Sequence, residues 1–178
     1  MKKNTLWITQ TGIMLAALLI LQFATKSLGQ YVTGSCVNCV LVTCTLVCGL
    51  SSGIVIALLS PFFAFFLGVG PAIFVLTPCI SVANVVIVLV SALARKRIEK
   101  GEAKQLVNYI IIVFAALAKF CCIYLLIVKL VLPILGLPPE KTALMSAMFS
   151  YPQLVTALIG GILSVAISAI IIKAIKKH

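Results

Sequence analysis

LVNYIIIVFAALAKFCCIYLLIVKLVL, residues 106–132, is the stretch that decides the fold, because it is long and apolar enough to cross a lipid bilayer. Its charges are Lys119 near the middle and Lys129 near the far end. Counted from Val107 at about 1.5 Å per residue, Lys119 lies about 18 Å into a hydrocarbon layer about 30 Å thick. A charge at that depth costs at least ~2.5 kcal/mol, so Lys119 marks a candidate functional site.

Lys119 has no acidic partner at the same depth. The chain contains no Asp, and Glu99, Glu102 and Glu140 all lie outside the predicted membrane segments. One interpretation is that Lys119 binds the carboxylate or phosphate of a captured molecule. The alternative is that its ammonium group reaches outward along its apolar stem to the membrane surface.

Composition places the whole chain in the membrane. Of its 178 residues 63% are hydrophobic and 10% are charged, which excludes a soluble globular domain. The first apolar run, Leu6 to Ala24, is longer than a signal-peptide core, so we interpret it as a membrane helix. We predict an all-α membrane protein with one integral membrane domain, residues 1–178. Its six transmembrane helices have approximate spans 6–25, 33–50, 53–70, 72–94, 107–132 and 150–172.

The net charge of +11 is explained by topology signals rather than by nucleic-acid binding. Most cations flank apolar runs, where they follow the positive-inside rule and contact anionic lipid headgroups. These cations form three groups, at the N-terminus, at residues 95–104 and in the C-terminal tail. With six spans all three groups lie on the same side of the membrane, which predicts cytoplasmic N- and C-termini. These cations are Lys2, Lys3, Arg95, Lys96, Arg97, Lys100, Lys104, Lys173, Lys176 and Lys177.

Polar side chains within the spans fall mostly in the outer half. Because they come from several helices, they predict a small-molecule pocket that opens to the outside. The alternative is that each amide bonds a neighbouring helix. The predicted substrate-binding residues are Lys119, Asn84, Asn38, Gln22, Gln153 and Tyr151.

The start of the last span carries a helix-capping pattern. Ser150 is predicted as the N-cap and Gln153 as its capping-box partner, with Pro152 at an early helical position. A helix N-terminus that faces the pocket would favour an anion there. The preceding residues, 137–149, are predicted to form a short helix over the outer surface.

Two pairs of small residues mark possible helix contacts. Gly12 and Ala16 are four residues apart on the first span, and Ala157 and Gly161 on the last. Such pairs allow another helix to approach closely. Internal packing explains either pair, and an external partner helix is the alternative for Gly12 and Ala16.

Seven cysteines raise a redox or metal alternative. Cys36 and Cys39 form a CxxC motif near the outer end of the second span, as a membrane thiol–disulfide oxidoreductase would require. Cysteine is also a small apolar packing residue in membrane helices. The chain has one histidine, the terminal His178, so no metal site is predicted.

The sequence also lacks the motifs of common catalysts. It contains no P-loop, no dinucleotide-binding glycine pattern and no nucleophile–base set. We therefore predict no catalytic residues, no cofactor and no enzyme activity. A small channel or scaffold without a ligand is a further alternative.

The whole chain resembles the substrate-capture subunits (S components) of energy-coupling factor transporters. The resemblance lies in the length, the six spans, the opening helix with Thr11-Gly-Ile-Met-Leu-Ala-Ala-Leu18, the Gly49-Leu-Ser-Ser-Gly53 segment, and the Gly68-Val-Gly-Pro71 turn. It implies an S-component-like bundle in a prokaryotic plasma membrane. It also implies high-affinity uptake of a vitamin or related, anionic micronutrient from outside.

The same resemblance implies partners. Such subunits assemble with a membrane-embedded coupling (T) subunit and two cytoplasmic ATPases, and here Gly12 and Ala16 would form the face that meets the coupling subunit. The cobalt and nickel branch of the family uses an N-terminal histidine. This chain lacks one, so a metal cargo is not expected.

Overall fold

The computed structural model describes residues 3–99 and 105–176, and all regular secondary structure within them is helical. The predicted basic residues Lys2, Lys100, Lys104 and Lys177 lie outside the described residues, as do Glu102 and His178. The helices are α1 Lys3–Thr25, α2 Gln30–Val47, α3 Leu50–Phe66, α4 Leu76–Glu99, α5 Gln105–Ile123, α6 Leu132–Leu135, α7 Pro139–Met148 and α8 Tyr151–Lys176. A 3-10 turn, Lys26–Leu28, follows α1, and a π-helix, Tyr124–Val131, joins α5 to α6.

Five helical stretches are long and apolar enough to cross a membrane, which makes the chain a multi-pass, all-α membrane protein. The shorter apolar helix α3 has 17 residues and ends four residues before the predicted span does. It ends early because Gly68 and Gly70 adopt positive φ angles of 66° and 91°, which turn the chain before α4. The stretches are Asn4–Leu28, Gln30–Val47, Leu76–Ile98, Gln105–Leu135 and Pro139–Ile175.

Helix α2 lies at the centre of the bundle, where it contacts α1, α3, α4 and α8. It runs parallel to α8, as two contacts show: Gly34 lies beside Thr156, and further along both helices Cys39 lies beside Gly160. A Cβ at Gly160 would meet the backbone of Ser35 and Cys39, so glycine is needed for this close approach.

The two pairs of small residues have different surroundings. Ala157 is fully buried, and a Cβ on Gly161 would collide with Ile112 of α5. Internal packing therefore explains this pair. Gly12 and Ala16 are both exposed on α1, and a Cβ on Gly12 would meet no atom within 4 Å. Helix α1 contacts α2 and α3 along its other side.

The two ends of the bundle differ in charge. At the end we call the basic end, α4 closes with Arg95, Lys96 and Arg97, and Lys173 lies in α8. The Arg95 guanidinium donates to the carbonyl oxygens of Thr45 and Leu46 at 3.3 and 3.1 Å. It thereby satisfies carbonyls that the C-terminus of α2 would otherwise leave free. The opposite end, formed by the α1–α2 and α3–α4 connections and by α7, we call the mouth end.

Apolar side chains fill the half of the bundle toward the basic end. The main cluster joins α2, α4, α5 and α8 and includes Val42, Leu46, Ile87, Ala94 and Ile112. A separate apolar cluster lies toward the mouth end, between α4, the π-helix, α6 and the α7–α8 connection, and includes Phe149. This packing leaves open space between α1, α2, α3 and α4 at the mouth end.

Candidate functional site

A cavity of about 460 Å³ occupies the mouth end of the bundle. This volume falls within the range typical of small-molecule sites, and the walls combine apolar groups with a few polar ones, as such sites do. Its apolar walls include Pro61, Phe65 and Phe149. The polar side chains that line it are Gln22, Lys26, Gln30, Thr33, Asn38, Thr77, Asn84, Lys119 and Gln153.

Lys119 is buried at the cavity, with 3% of its surface exposed. Its ammonium group donates hydrogen bonds to Oδ1 of Asn38 at 2.5 Å and to Oδ1 of Asn84 at 2.7 Å. An ammonium group has three N–H donors, so one remains for a bound molecule. The two amides hold the lysine between α2 and α4, but they supply no negative charge.

The two asparagines are themselves fixed by their neighbours to different extents. The Nδ2 group of Asn38 donates to the carbonyl of Gly34 at 2.9 Å and lies 3.4 Å from Oγ1 of Thr156. The Nδ2 group of Asn84 has no hydrogen-bond partner in the part of the chain that the structure describes. Asn84 therefore keeps a free donor next to the Lys119 ammonium group.

The charge of the cavity is positive. Lys26, at the start of the α1–α2 connection, lines it as a second cation, and its ammonium group lies 4.3 Å from the centre of the Phe23 ring. No acidic residue lines the cavity among the residues described. Lys26 was not among the predicted substrate-binding residues, because its place in the site depends on how the loop that carries it folds over the cavity.

Gln22 also lines the cavity, one turn before the end of α1. It is 6% exposed, and its carbonyl oxygen Oε1 is buried without a hydrogen-bond partner within the described residues. It is thus an amide that the protein itself leaves unsatisfied.

Two glutamines hold the connection between α7 and α8 over the cavity. The Nε2 group of Gln30 donates to the carbonyl of Met148 at 2.6 Å, and that of Gln153 donates to the same carbonyl at 3.2 Å. Met148 and Phe149 line the cavity on this side. The role of Gln30 was not predicted, because its partner is 118 residues away in the sequence.

The predicted capping box at Ser150 and Gln153 is wrong. The Ser150 hydroxyl donates to the carbonyl of Ser146, and the Gln153 amide donates to that of Met148. Helix α7 ends directly before α8 begins, so these side chains satisfy the free carbonyls at the end of α7 instead.

Tyr151 lies apart from the other predicted binding residues. It is 64% exposed, it does not line the cavity, and its hydroxyl accepts a hydrogen bond of 3.0 Å from Tyr31. The geometry does not support its prediction as a pocket residue. Tyr151 is the first residue of α8, and its side chain lies on the surface of the bundle. The structure does bring Lys119, Asn84, Asn38, Gln22 and Gln153 together around one cavity.

Cys36 and Cys39 lack the helix-terminal setting of a redox CxxC pair. All seven are free thiols, and Cys36 and Cys39 lie inside α2, which begins at Gln30. They are therefore more than a turn away from the helix N-terminus that lowers thiol pKa values in CxxC proteins. No group of three or more metal-ligating side chains occurs among the residues that the structure describes.

Fold and site together define a multi-pass helical membrane protein with a cationic cavity at one end. No family model, curated protein or solved structure matches this chain.

Proposed function

We propose that this chain is the substrate-capture subunit of an energy-coupling factor importer, with six transmembrane helices and cytoplasmic termini in a prokaryotic plasma membrane. It binds a vitamin or related small anionic micronutrient from outside. The cavity described above is the capture site, and the mouth end faces the exterior. The positive-inside rule supports this orientation, because Arg95, Lys96, Arg97 and Lys173 lie at the opposite end.

The observation that carries the proposal is the environment of Lys119. A buried ammonium group is bonded to two neutral amides, and the cavity around it holds a second cation and no acid within the described residues. Keeping a lysine at this depth is costly, and an anionic ligand offsets the cost by supplying the missing charge. A channel or scaffold has no need for such a site.

The proposal also assigns partners. The sequence contains no P-loop, so the energy for uptake comes from two separate cytoplasmic ATPases through a membrane-embedded coupling subunit. Gly12 and Ala16 are the candidate contact for that subunit, because they form a small, exposed pair on the outermost helix of the bundle.

Native mass spectrometry of the gently purified protein tests the capture function. We expect one small molecule to remain bound per chain, since a cavity built for high-affinity uptake retains its ligand through purification. The same molecule, added back to stripped protein, should raise the unfolding temperature. Protein that carries no small molecule and is stabilised by no fraction of a rich growth medium would contradict the proposal.

The exposed charge of Lys26 should make the rate at which the ligand associates with the protein depend on salt concentration. Because it is exposed at the cavity mouth, its charge attracts an incoming anion without forming a buried contact. Lys26→Gln should slow association several-fold at low ionic strength and leave the dissociation rate nearly unchanged. Stopped-flow binding of the co-purified molecule measures both rates.

The control for Lys26 is Lys141→Gln, an exposed cation of α7 that does not line the cavity. It should have a smaller effect than Lys26→Gln. At about 1 M salt, where the screening length is about 3 Å, the difference between wild type and Lys26→Gln should disappear. Equal association rates at low salt would show that Lys26 does not steer the ligand.

A further inference from the structure

Gln22 lines the cavity with a buried amide oxygen that has no hydrogen-bond donor, and an anion bound at Lys119 does not explain this oxygen. Four other amide side chains line the cavity, and in the described part of the chain each forms at least one hydrogen bond, whereas Gln22 forms none. The four are Gln30, Asn38, Asn84 and Gln153.

A buried amide oxygen without a donor destabilises the protein that carries it. Buried polar atoms of this kind are uncommon, and each calls for an explanation such as an ordered water or ion. The described residues contain others, on Thr43, Ser60, Asn108 and Ser168, but those side chains do not line the cavity, whereas Gln22 does. The last torsion of a glutamine side chain is broad, so the Gln22 amide can turn toward a bound molecule at little cost. The donor that Gln22 lacks must then come from the cavity that it lines.

We propose that Gln22 accepts a hydrogen bond from the captured molecule, which therefore carries an N–H or O–H group toward α1 in addition to an anionic group at Lys119. This inference rests on the proposed function and narrows its substrate class to amino- or hydroxy-substituted carboxylates and phosphates. The anionic group meets the third N–H of Lys119 and the free Nδ2 of Asn84, which are both donors. The cavity thus presents donors at its floor and an acceptor on its α1 wall.

The test uses the purified full chain and the small-molecule fraction of yeast extract as the probe. Retained molecules are released by denaturation and identified by liquid chromatography with mass spectrometry, which also distinguishes a carboxylate from a phosphate. The identified molecule is then titrated against wild type, Lys119→Met, Gln22→Met and Gln10→Met. Gln10 is the matched control, because it lies on the same helix but does not line the cavity.

We expect the retained molecule to contain both an anionic group and an N–H or O–H donor. Gln22→Met should bind it about tenfold more weakly, as expected for the loss of one hydrogen bond, and Gln10→Met should bind it as wild type does. Without the molecule, Gln22→Met should unfold at the same temperature as wild type or above it, because the substitution removes an unsatisfied buried group. A purely structural glutamine would produce the opposite change in stability.

The outcomes separate this inference from the proposed function. A retained molecule without an N–H or O–H donor, an unchanged affinity of Gln22→Met, or a lower unfolding temperature of ligand-free Gln22→Met would overturn the role of Gln22 and leave the capture function standing. If wild type retains no molecule at all, both the inference and the proposed function fail. The chemical identity of the molecule decides the question even if the variant folds poorly.

Discussion

Lys119→Met is expected to weaken binding of the co-purified molecule by about 3 kcal/mol, roughly 150-fold, because it removes one partner of a buried charge pair. Methionine is one atom shorter than lysine but keeps an unbranched apolar stem, so the shape of the cavity floor changes little. Isothermal titration or a thermal-shift titration of the stripped protein measures the loss.

The same substitution should leave the ligand-free protein folded. It deprives the Oδ1 atoms of Asn38 and Asn84 of their donor, which costs about 1–3 kcal/mol for each atom. It also removes a charge whose burial costs at least ~2.5 kcal/mol. These opposed terms are of similar size, so the unfolding temperature should shift by only a few degrees.

Lys129→Met is the matched control for this experiment. Lys129 lies in the π-helix that continues α5, is exposed, and has its ammonium group 5.6 Å from the centre of the Tyr124 ring rather than in the cavity. Its substitution should leave the affinity unchanged. Wild-type affinity in Lys119→Met would show that Lys119 does not bind the anion, and the proposed site would lose its main support.

The helices could be predicted from the sequence because the apolar runs are long and the connections carry Gly, Pro or charge. The predicted ends of the helices were less accurate where local turns compete with helix formation. Residues 67–70 are apolar enough to extend α3, yet two glycines with positive φ end the helix at Phe66. The π-helix after Ile123 also left no sequence signal, since hydropathy does not report hydrogen-bond register.

The candidate site could be predicted only where polarity and depth coincide. Lys119, Asn38 and Asn84 stand out because amide and ammonium groups are rare inside a bilayer, and they lie together in the structure. Lys26 and Gln30 were missed because polar residues at helix ends are ordinary. Their place in the cavity depends on how the α1–α2 connection and the α7–α8 connection fold over the bundle.

Tyr151 illustrates the opposite error. Depth along the helix placed it at the mouth, but depth does not determine which side of a helix a residue occupies. A change of two positions rotates a side chain by about 200° around the axis, so Tyr151 faces outward while Gln153 lines the cavity. Tertiary contacts, and not composition, decide between such neighbours.

Placing bulky side chains at Gly12 and Ala16 should abolish transport and leave ligand binding intact. Both residues are exposed on α1, and a Cβ on Gly12 would meet no atom within 4 Å, so we expect Gly12→Trp and Ala16→Trp to be accommodated on the outer surface of the helix. A partner helix that approaches closely at this pair would be pushed away. Overpacking costs about 1–3 kcal/mol per site, so the double variant should lose roughly 30-fold or more of its affinity for the coupling subunit.

The experiment compares two readouts in the same variants: uptake of the co-purified molecule by cells that also contain the coupling subunit and the ATPases, and binding by the purified chain. Ala166→Trp is the matched control, because Ala166 is an equally small, exposed residue on α8. It should preserve both uptake and binding, since lipid accommodates an added apolar side chain. Normal uptake in the double variant would mean that lipid, and not a partner, covers this face of α1, whereas joint loss of uptake and binding would mean that the pair supports the bundle itself.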